Sequence, residues 1–380
     1  MDNIKKKIFD ISSIGVTDGI GAGIAAIFWF YIASELGPEN YGELTYLISI
    51  AALVSGIALF GSNHSILVLT AKKVDIQATI YLITIIANIV GSIIIFFLFF
   101  NIGISLVIIA YAMFSLVTYD FLGRKLYRNY SKYILSQKIL LVTFGIGFYY
   151  LIGENGILIG IALSHIHLVY HIVKSFKSSK INFGLIKERK KFIFNNFAIS
   201  ISGTFYGSID KLIIAPVLGF VILGNYSLGL QFFSILNLLP AMSVKYLTSQ
   251  NISGVPNKKL KRIIVLASIG IAILGLTIGP TIISYVFPKF LESGDVIRII
   301  SLAIIPSTIT STYYYPKFWA QEENKLILFG TIIILIIQIT GILTLGPLYG
   351  ASGIAIAFVS SNIGGCCFAA IASKFSQKLD

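Results

Sequence analysis

Ile32-Ala33-Ser34-Glu35-Leu36-Gly37-Pro38-Glu39-Asn40-Tyr41 is half-repeated far along the chain. Its skeleton returns as Ile214-Ala215-Pro216-Val217-Leu218-Gly219, and Asn225-Tyr226 follows. The first part recurs at an offset of 182 residues and the Asn-Tyr pair at 185, as if a few residues had been inserted. Two further matches share an offset of 193: Lys132 with Lys325, and Gly160-Ile161-Ala162 with Gly353-Ile354-Ala355. Two similar halves in a chain this apolar point to a transporter whose pathway lies between the halves.

The chain has 380 residues, 56% hydrophobic and 12% charged, with a mean hydropathy of +0.88. That leaves too little polar surface to cover a soluble domain of this size. A bilayer crossing takes about 20 apolar residues, and twelve segments qualify. They run Ile11 to Tyr31, Tyr41 to Ser62, Ile76 to Phe99, Ile102 to Leu122, Tyr133 to Leu151, Ile157 to Val173, Phe197 to Leu218, Val221 to Tyr246, Ile263 to Phe287, Val296 to Phe318, Leu326 to Leu345 and Gly350 to Ser373.

A net charge of +13 would indicate nucleic acid in a soluble protein, but here the basic residues mark one membrane face. With Lys5, Lys6 and Lys7 inside, 26 of the 29 Lys and Arg residues fall in alternate loops, Lys132 and Lys138 among them; Lys289 and Arg298 fall outside and Lys211 within a span. This bias places both termini in the cytoplasm and predicts a multi-pass protein of the cell membrane. No cleavable signal peptide is expected, because the first apolar stretch is long enough to span. Cys366 and Cys367 are adjacent and read as small packing residues beside Gly364 and Gly365.

The basic stretch from Lys174 to Lys191 separates six segments from six. It sets the expected domains: a six-helix lobe over 1–173, a cytoplasmic linker over 174–191 that also suits anionic lipid headgroups, and a second lobe over 192–380. Because six is even, the halves enter the membrane the same way round and are parallel repeats about an axis along the membrane normal.

Leu36-Gly37-Pro38-Glu39-Asn40-Tyr41-Gly42, Gly224-Asn225-Tyr226-Ser227, Asp210-Lys211-Leu212-Ile213-Ile214, Leu239-Pro240 and Gly353-Ile354-Ala355-Ile356-Ala357 resemble recurring phrases of polysaccharide exporters. These include the O-antigen flippases of the multidrug, oligosaccharidyl-lipid and polysaccharide superfamily. The resemblance covers essentially the whole chain, in order. It implies an all-α membrane fold with two six-helix lobes in a V. It also implies movement of lipid-linked glycans from the cytoplasmic to the outer leaflet, with polysaccharide polymerases or glycosyltransferases as partners.

Ionisable groups inside the bilayer mark function by default. Asp18 lies in the first segment, and Asp210 and Lys211 in the seventh. Lys211 is the only basic residue expected at depth, with Arg298 near the outer mouth. In the pathway reading, Lys211 attracts a diphosphate and Asp18 takes part in H+ or Na+ coupling. The alternative is that these charges only lock helices together. Asp210 and Lys211 are about 100° apart on a helix and are not expected to face each other. Gly15, Gly19 and Gly23 form a stripe expected to let another helix approach and to let the first helix bend. Pro240, Pro280 and Pro306, together with Pro216, are expected to kink spans seven to ten.

His167 and His171 share a helical face with no carboxylate in local sequence, so no metal is expected. Tyr313, Tyr314, Tyr315 and Trp319 read as an interfacial aromatic belt, sugar stacking being the sharper alternative. Phosphate-binding loops, nucleophile elbows and paired catalytic carboxylates are absent from the sequence, so the chain is expected to be a transporter needing no cofactor. Three functions remain: a lipid-linked oligosaccharide flippase, a cation-coupled multidrug exporter of the same superfamily, or a non-transporting membrane partner of glycan synthesis enzymes.

Overall fold

The computed structural model describes residues 2–238, 240, 241, 247, 258–321 and 323–376. Leu239, the end of the eighth segment at Lys245 and Tyr246, and Lys378 lie outside these residues, as do the side chains of Lys5, Lys6 and Lys7. Among the described residues every regular element is helical. In order these are α1 (Asp2–Ala58), α2 (Ser62–Ala71), α3 (Gln77–Phe99), α4 (Ile102–Gly123), α5 (Tyr127–Ile152), α6 (Glu154–Leu163), α7 (Val169–Ser178), α8 (Phe183–Glu188), α9 (Lys190–Leu218) and α10 (Phe220–Leu236). There follow α11 (Lys258–Thr277), α12 (Gly279–Val286), α13 (Ser293–Ile300), α14 (Ile304–Ile309), α15 (Tyr315–Ala320) and α16 (Asn324–Ser376).

Eight of the described helical stretches are long and apolar enough to cross a membrane. Two of them, α1 and α16, each hold two crossings joined across a single glycine: Gly37 at φ +74° and Gly350 at φ +57°. The seventh segment is α9, and the eighth begins as α10. The chain is therefore an all-α integral membrane protein. Residues 174–191 are not the open loop that their polarity predicts. They are largely helical through α7, α8 and the start of α9. The Asn182 amide donates to the Thr79 hydroxyl at 2.8 Å, fastening this stretch to the start of α3.

The repeat is visible in the backbone. Gly37 (φ +74°, ψ 179°) and Gly219 (φ +89°, ψ 168°) turn their chains in the same rare conformation, open to glycine because it has no Cβ. The helices leaving these corners touch backbone to backbone. A Cβ on Gly224 would stand 1.8 Å from the Pro38 carbonyl oxygen, and one on Gly42 would stand 2.0 Å from that of Phe220. Phe220 is the 182-residue equivalent of Pro38, and Gly224 that of Gly42, so the contact is reciprocal, as a two-fold axis requires. The Thr45 hydroxyl meets the Ser227 hydroxyl, its own equivalent, at 3.1 Å. The 182 register thus runs unbroken through the corner, and the Asn-Tyr match at 185 is a coincidence about one helical turn out of step. The Lys289 ammonium donates to the carbonyls of Ser34 and Glu35 at 3.3 and 3.2 Å, capping the helical stretch that ends at Gly37.

The later match also needs correcting. Gly153 and Gly350 both turn at positive φ, and Gly156 and Gly353 each press on the carbonyl eight residues upstream, Phe148 and Leu345. The partner of Gly353 is therefore Gly156, at offset 197, and not Gly160.

The chain forms two compact units. The first comprises Met1–Phe28 and Leu47–Ser208, the second Trp29–Tyr46 and Ile209–Asp380. The first unit is cored by Ile66, Ile80, Tyr81, Leu116, Phe121 and Leu168, the second by Ile214, Leu223, Tyr226, Ile300, Ile342 and Ile354. The boundary falls inside α1 and inside α9.

Candidate functional site

In the first unit, Asp18 of α1 accepts a hydrogen bond from the Tyr130 phenol of α5 at 2.8 Å. Thr17 donates to Ser131 at 2.7 Å one residue along. Ile134 and the stem of Lys138 pack over Gly21, each 3.5 Å from where a Cβ would be, an ordinary contact distance. The Lys138 ammonium is near enough to Asp18 to act on it electrostatically. Lys138 lies eleven residues into α5, about 16 Å along it. It is a charge within a span and not the loop residue that the count of cytoplasmic charges made it, so Lys211 is not alone at depth.

In the second unit, Asp210 and Lys211 pair directly. The Lys211 ammonium donates to both carboxylate oxygens of Asp210, at 3.1 and 3.3 Å. The expectation that neighbours 100° apart do not meet therefore fails: a four-carbon stem folds back across that angle. The Lys211 amide donates to Asp210 Oδ1 at 2.8 Å and the Tyr226 phenol of α10 donates to Oδ2 at 3.1 Å. Asp210 is 4% exposed, and this donor set is what allows a carboxylate to remain charged at such burial. Asp18 and Asp210 are not equivalents in the repeat, since the 182 register pairs Asp18 with Ser200.

Sequence reading missed a third carboxylate. Asp120, near the end of α4, is fully buried and lies between Arg124 Nε at 2.9 Å and His171 Nε2 at 3.0 Å. The carboxylate absent from the local sequence around His171 thus comes from another helix, 51 residues upstream. The i to i+4 spacing of Asp120 and Arg124 was the available signal. No cluster among the described residues has three or more groups able to hold a metal. His165 is buried against the Ile161 carbonyl at 2.9 Å, and His167 stacks on Tyr133.

Arg298 is not part of either cluster. It pairs with Asp295 at 2.9 Å on the surface of α13. The close approach expected along the glycine stripe does not occur at Gly15 or Gly23, where nothing among the described residues lies within 4 Å of a Cβ position. The contact falls at Gly21, off the stripe, because α5 packs on that other face. Pro280 sits in the first turn of α12, where the ninth span is divided into α11, ending at Thr277, and α12, starting at Gly279. Pro306 lies in α14, within a tenth span broken into 3-10, α and π turns, and Pro240 is buried. Tyr313 lies 5.6 Å under the ammonium of the buried Lys261, so this aromatic packs on a cation within its own unit.

Carboxylates held by lysine and tyrosine thus sit on helices of an all-α membrane fold that turns at paired glycines. Solved structures share this fold. A lipid II flippase, MurJ, in an inward closed conformation has a TM-score of 0.70 at 14% identity, covering 95% of this chain and 87% of that one. A multidrug resistance MATE transporter in an inward-facing conformation has 0.66 at 12%, covering 97% of each chain. A superfamily transporter from Pyrococcus furiosus has 0.56 at 13%, covering 97% and 95%. No family model matches the sequence, and no curated protein matches it significantly.

Proposed function

We infer that this protein flips a lipid-linked oligosaccharide from the cytoplasmic to the outer leaflet for surface glycan assembly, by alternating access. The observation that carries this reading is the neutralisation of the intramembrane carboxylates. Asp210 is held by Lys211 and Tyr226, and Asp18 by Tyr130 with Lys138 nearby. A cationic drug needs an available carboxylate. An anionic diphosphate instead competes for the lysines, releasing each carboxylate to take up H+ or Na+, which couples cargo to ion. The fold shared with a lipid II flippase over 95% of the chain supports the same reading.

In this proposal residues 1–173 and 192–380 are the moving lobes, joined by 174–191, with both termini cytoplasmic and the protein in the cell membrane. A polymerase or glycosyltransferase consumes the flipped lipid. The fold shared with multidrug transporters supports cation-coupled drug export as the second reading.

The test is mass spectrometry of lipid-linked glycans in cells with and without the gene, with a leaflet-selective accessibility assay. Accumulation on the cytoplasmic face in its absence is the expected result. Unchanged glycans with altered sensitivity to cationic drugs would overturn it in favour of the exporter.

A further inference from the structure

A groove of about 420 Å³ opens on the first unit, away from the Asp18 cluster, lined by Lys132, Tyr133, Ser136, Ile139 and Leu140 of α5 and by His167. Lys132 and Ser136 lie one turn apart at one end. Neither the ammonium nor the hydroxyl has a hydrogen bond or ion pair among the described residues. Beside them the wall is tied to α5. His167 stacks on Tyr133 with ring centroids 5.3 Å apart, and its Nε2 donates to the Tyr133 carbonyl at 3.2 Å. Leu140 is eight residues beyond Lys132, so the groove changes from cationic to apolar over about 12 Å of helix.

The surroundings identify the medium that the groove faces. Ile166, Val169, Tyr170 and Val173, which flank His167 in sequence, are all exposed and carry no charge. Such a rim suits hydrocarbon and not water. A site with a free ammonium and hydroxyl at one end and aliphatic walls at the other, opening onto lipid, matches one ligand chemistry: a phosphate headgroup carrying an acyl or polyprenyl chain. Basic recesses between transmembrane helices bind anionic headgroups by charge-assisted hydrogen bonds.

We propose that the groove between α5 and His167 binds the phosphate headgroup of an anionic membrane amphiphile, with Lys132 and Ser136 on the phosphate and the chain laid along Ile139 and Leu140. This proposal does not depend on the cargo. The site serves a structural lipid of a transporter of either kind, or the carrier lipid of a glycan.

Native mass spectrometry of the full-length protein in detergent tests it, titrated with a phosphatidylglycerol, a phosphatidylcholine and a polyprenyl diphosphate. One phosphatidylglycerol should be retained about five- to ten-fold better than phosphatidylcholine, the gain of a charge-assisted contact. Lys132→Gln should abolish that preference, and Ser136→Leu should block the groove. Arg128→Gln, exposed on the same helix but outside the groove, should retain it. Displacement of phosphatidylglycerol by lower concentrations of polyprenyl diphosphate would assign the groove to the carrier lipid. The reverse order would assign it to bulk phospholipid. Equal retention of the charged and zwitterionic lipids, or an undiminished preference in a Lys132→Gln protein that melts like wild type, would overturn the proposal.

Discussion

The reciprocal corner makes the strongest claim about this protein, because it ties an internal symmetry to a single atom. In Gly224→Ala the new methyl would stand 1.8 Å from the Pro38 carbonyl oxygen and 2.7 Å from its carbon. Both belong to backbone and cannot rotate away, so the corners must part by about 1.5 Å to reach ordinary contact. Overpacking of this kind costs about 1–3 kcal/mol, enough to disfavour the closed corner about five-fold to over a hundred-fold. The Thr45 and Ser227 hydroxyls, 3.1 Å apart, report that separation. With Cys366 and Cys367 replaced by alanine, Thr45→Cys with Ser227→Cys should form a disulfide readily in membranes under mild oxidation. Adding Gly224→Ala should slow it about ten-fold, and Gly42→Ala should do the same from the other side of the axis. Gly147→Ala should leave it unchanged, since nothing lies within 4 Å of that position. Equal cross-linking rates with and without Gly224→Ala would refute the close approach.

Four further outcomes follow from the charged clusters. Lys211→Gln leaves the nearly buried Asp210 without its cation and should cost about 3–5 kcal/mol, read as lost expression and thermal stability. Adding Asp210→Asn should restore the folded protein but not transport, whereas transport by the double variant would reduce the pair to a helix lock. Tyr130→Phe removes one hydrogen bond to Asp18 and should cost only about 1 kcal/mol while changing the ion dependence of transport in vesicles; an unaltered ion dependence would remove Asp18 from coupling. Asp120→Ala removes the buried acceptor of Arg124 and His171 and should cost about 1–3 kcal/mol, because the exposed Arg124 can turn to water, measured by thermal unfolding in detergent.

The membrane fold was legible because hydropathy is a sum over many residues and survives local error. The repeat was legible at Gly37 and Gly219 because only glycine turns there at positive φ. The register beyond them was misread, since the Asn-Tyr dipeptides matched while the structural constraint lay one turn away, at Gly42 and Gly224. Side-chain partners were mostly illegible. Asp120 and His171 meet across 51 residues and two helices, and a lysine in the first half of a span, such as Lys138, is counted with the cytoplasmic charges that precede it. The error over Asp210 and Lys211 was of another kind: helical angle describes Cβ directions and says nothing of how far a lysine stem can swing.

That last geometry bears on mechanism. A lysine beside a buried carboxylate is at rest when nothing is bound, because the pair is neutral and both charges are hydrogen-bonded. In the proposed flippase, an arriving diphosphate would offer the ammonium a more highly charged partner and leave Asp210, among the described residues, with only Tyr226 and one amide as donors. The carboxylate must then take up a proton or a cation, or else destabilise its unit by several kcal/mol. A neutral cargo gives no such exchange, and a cationic one would have to displace the lysine from the carboxylate. An anionic headgroup alone makes binding and ion uptake favour one another at this pair. Coupling should therefore disappear in Asp210→Asn even where cargo binding persists, and binding measured at two pH values or two sodium concentrations should separate the two.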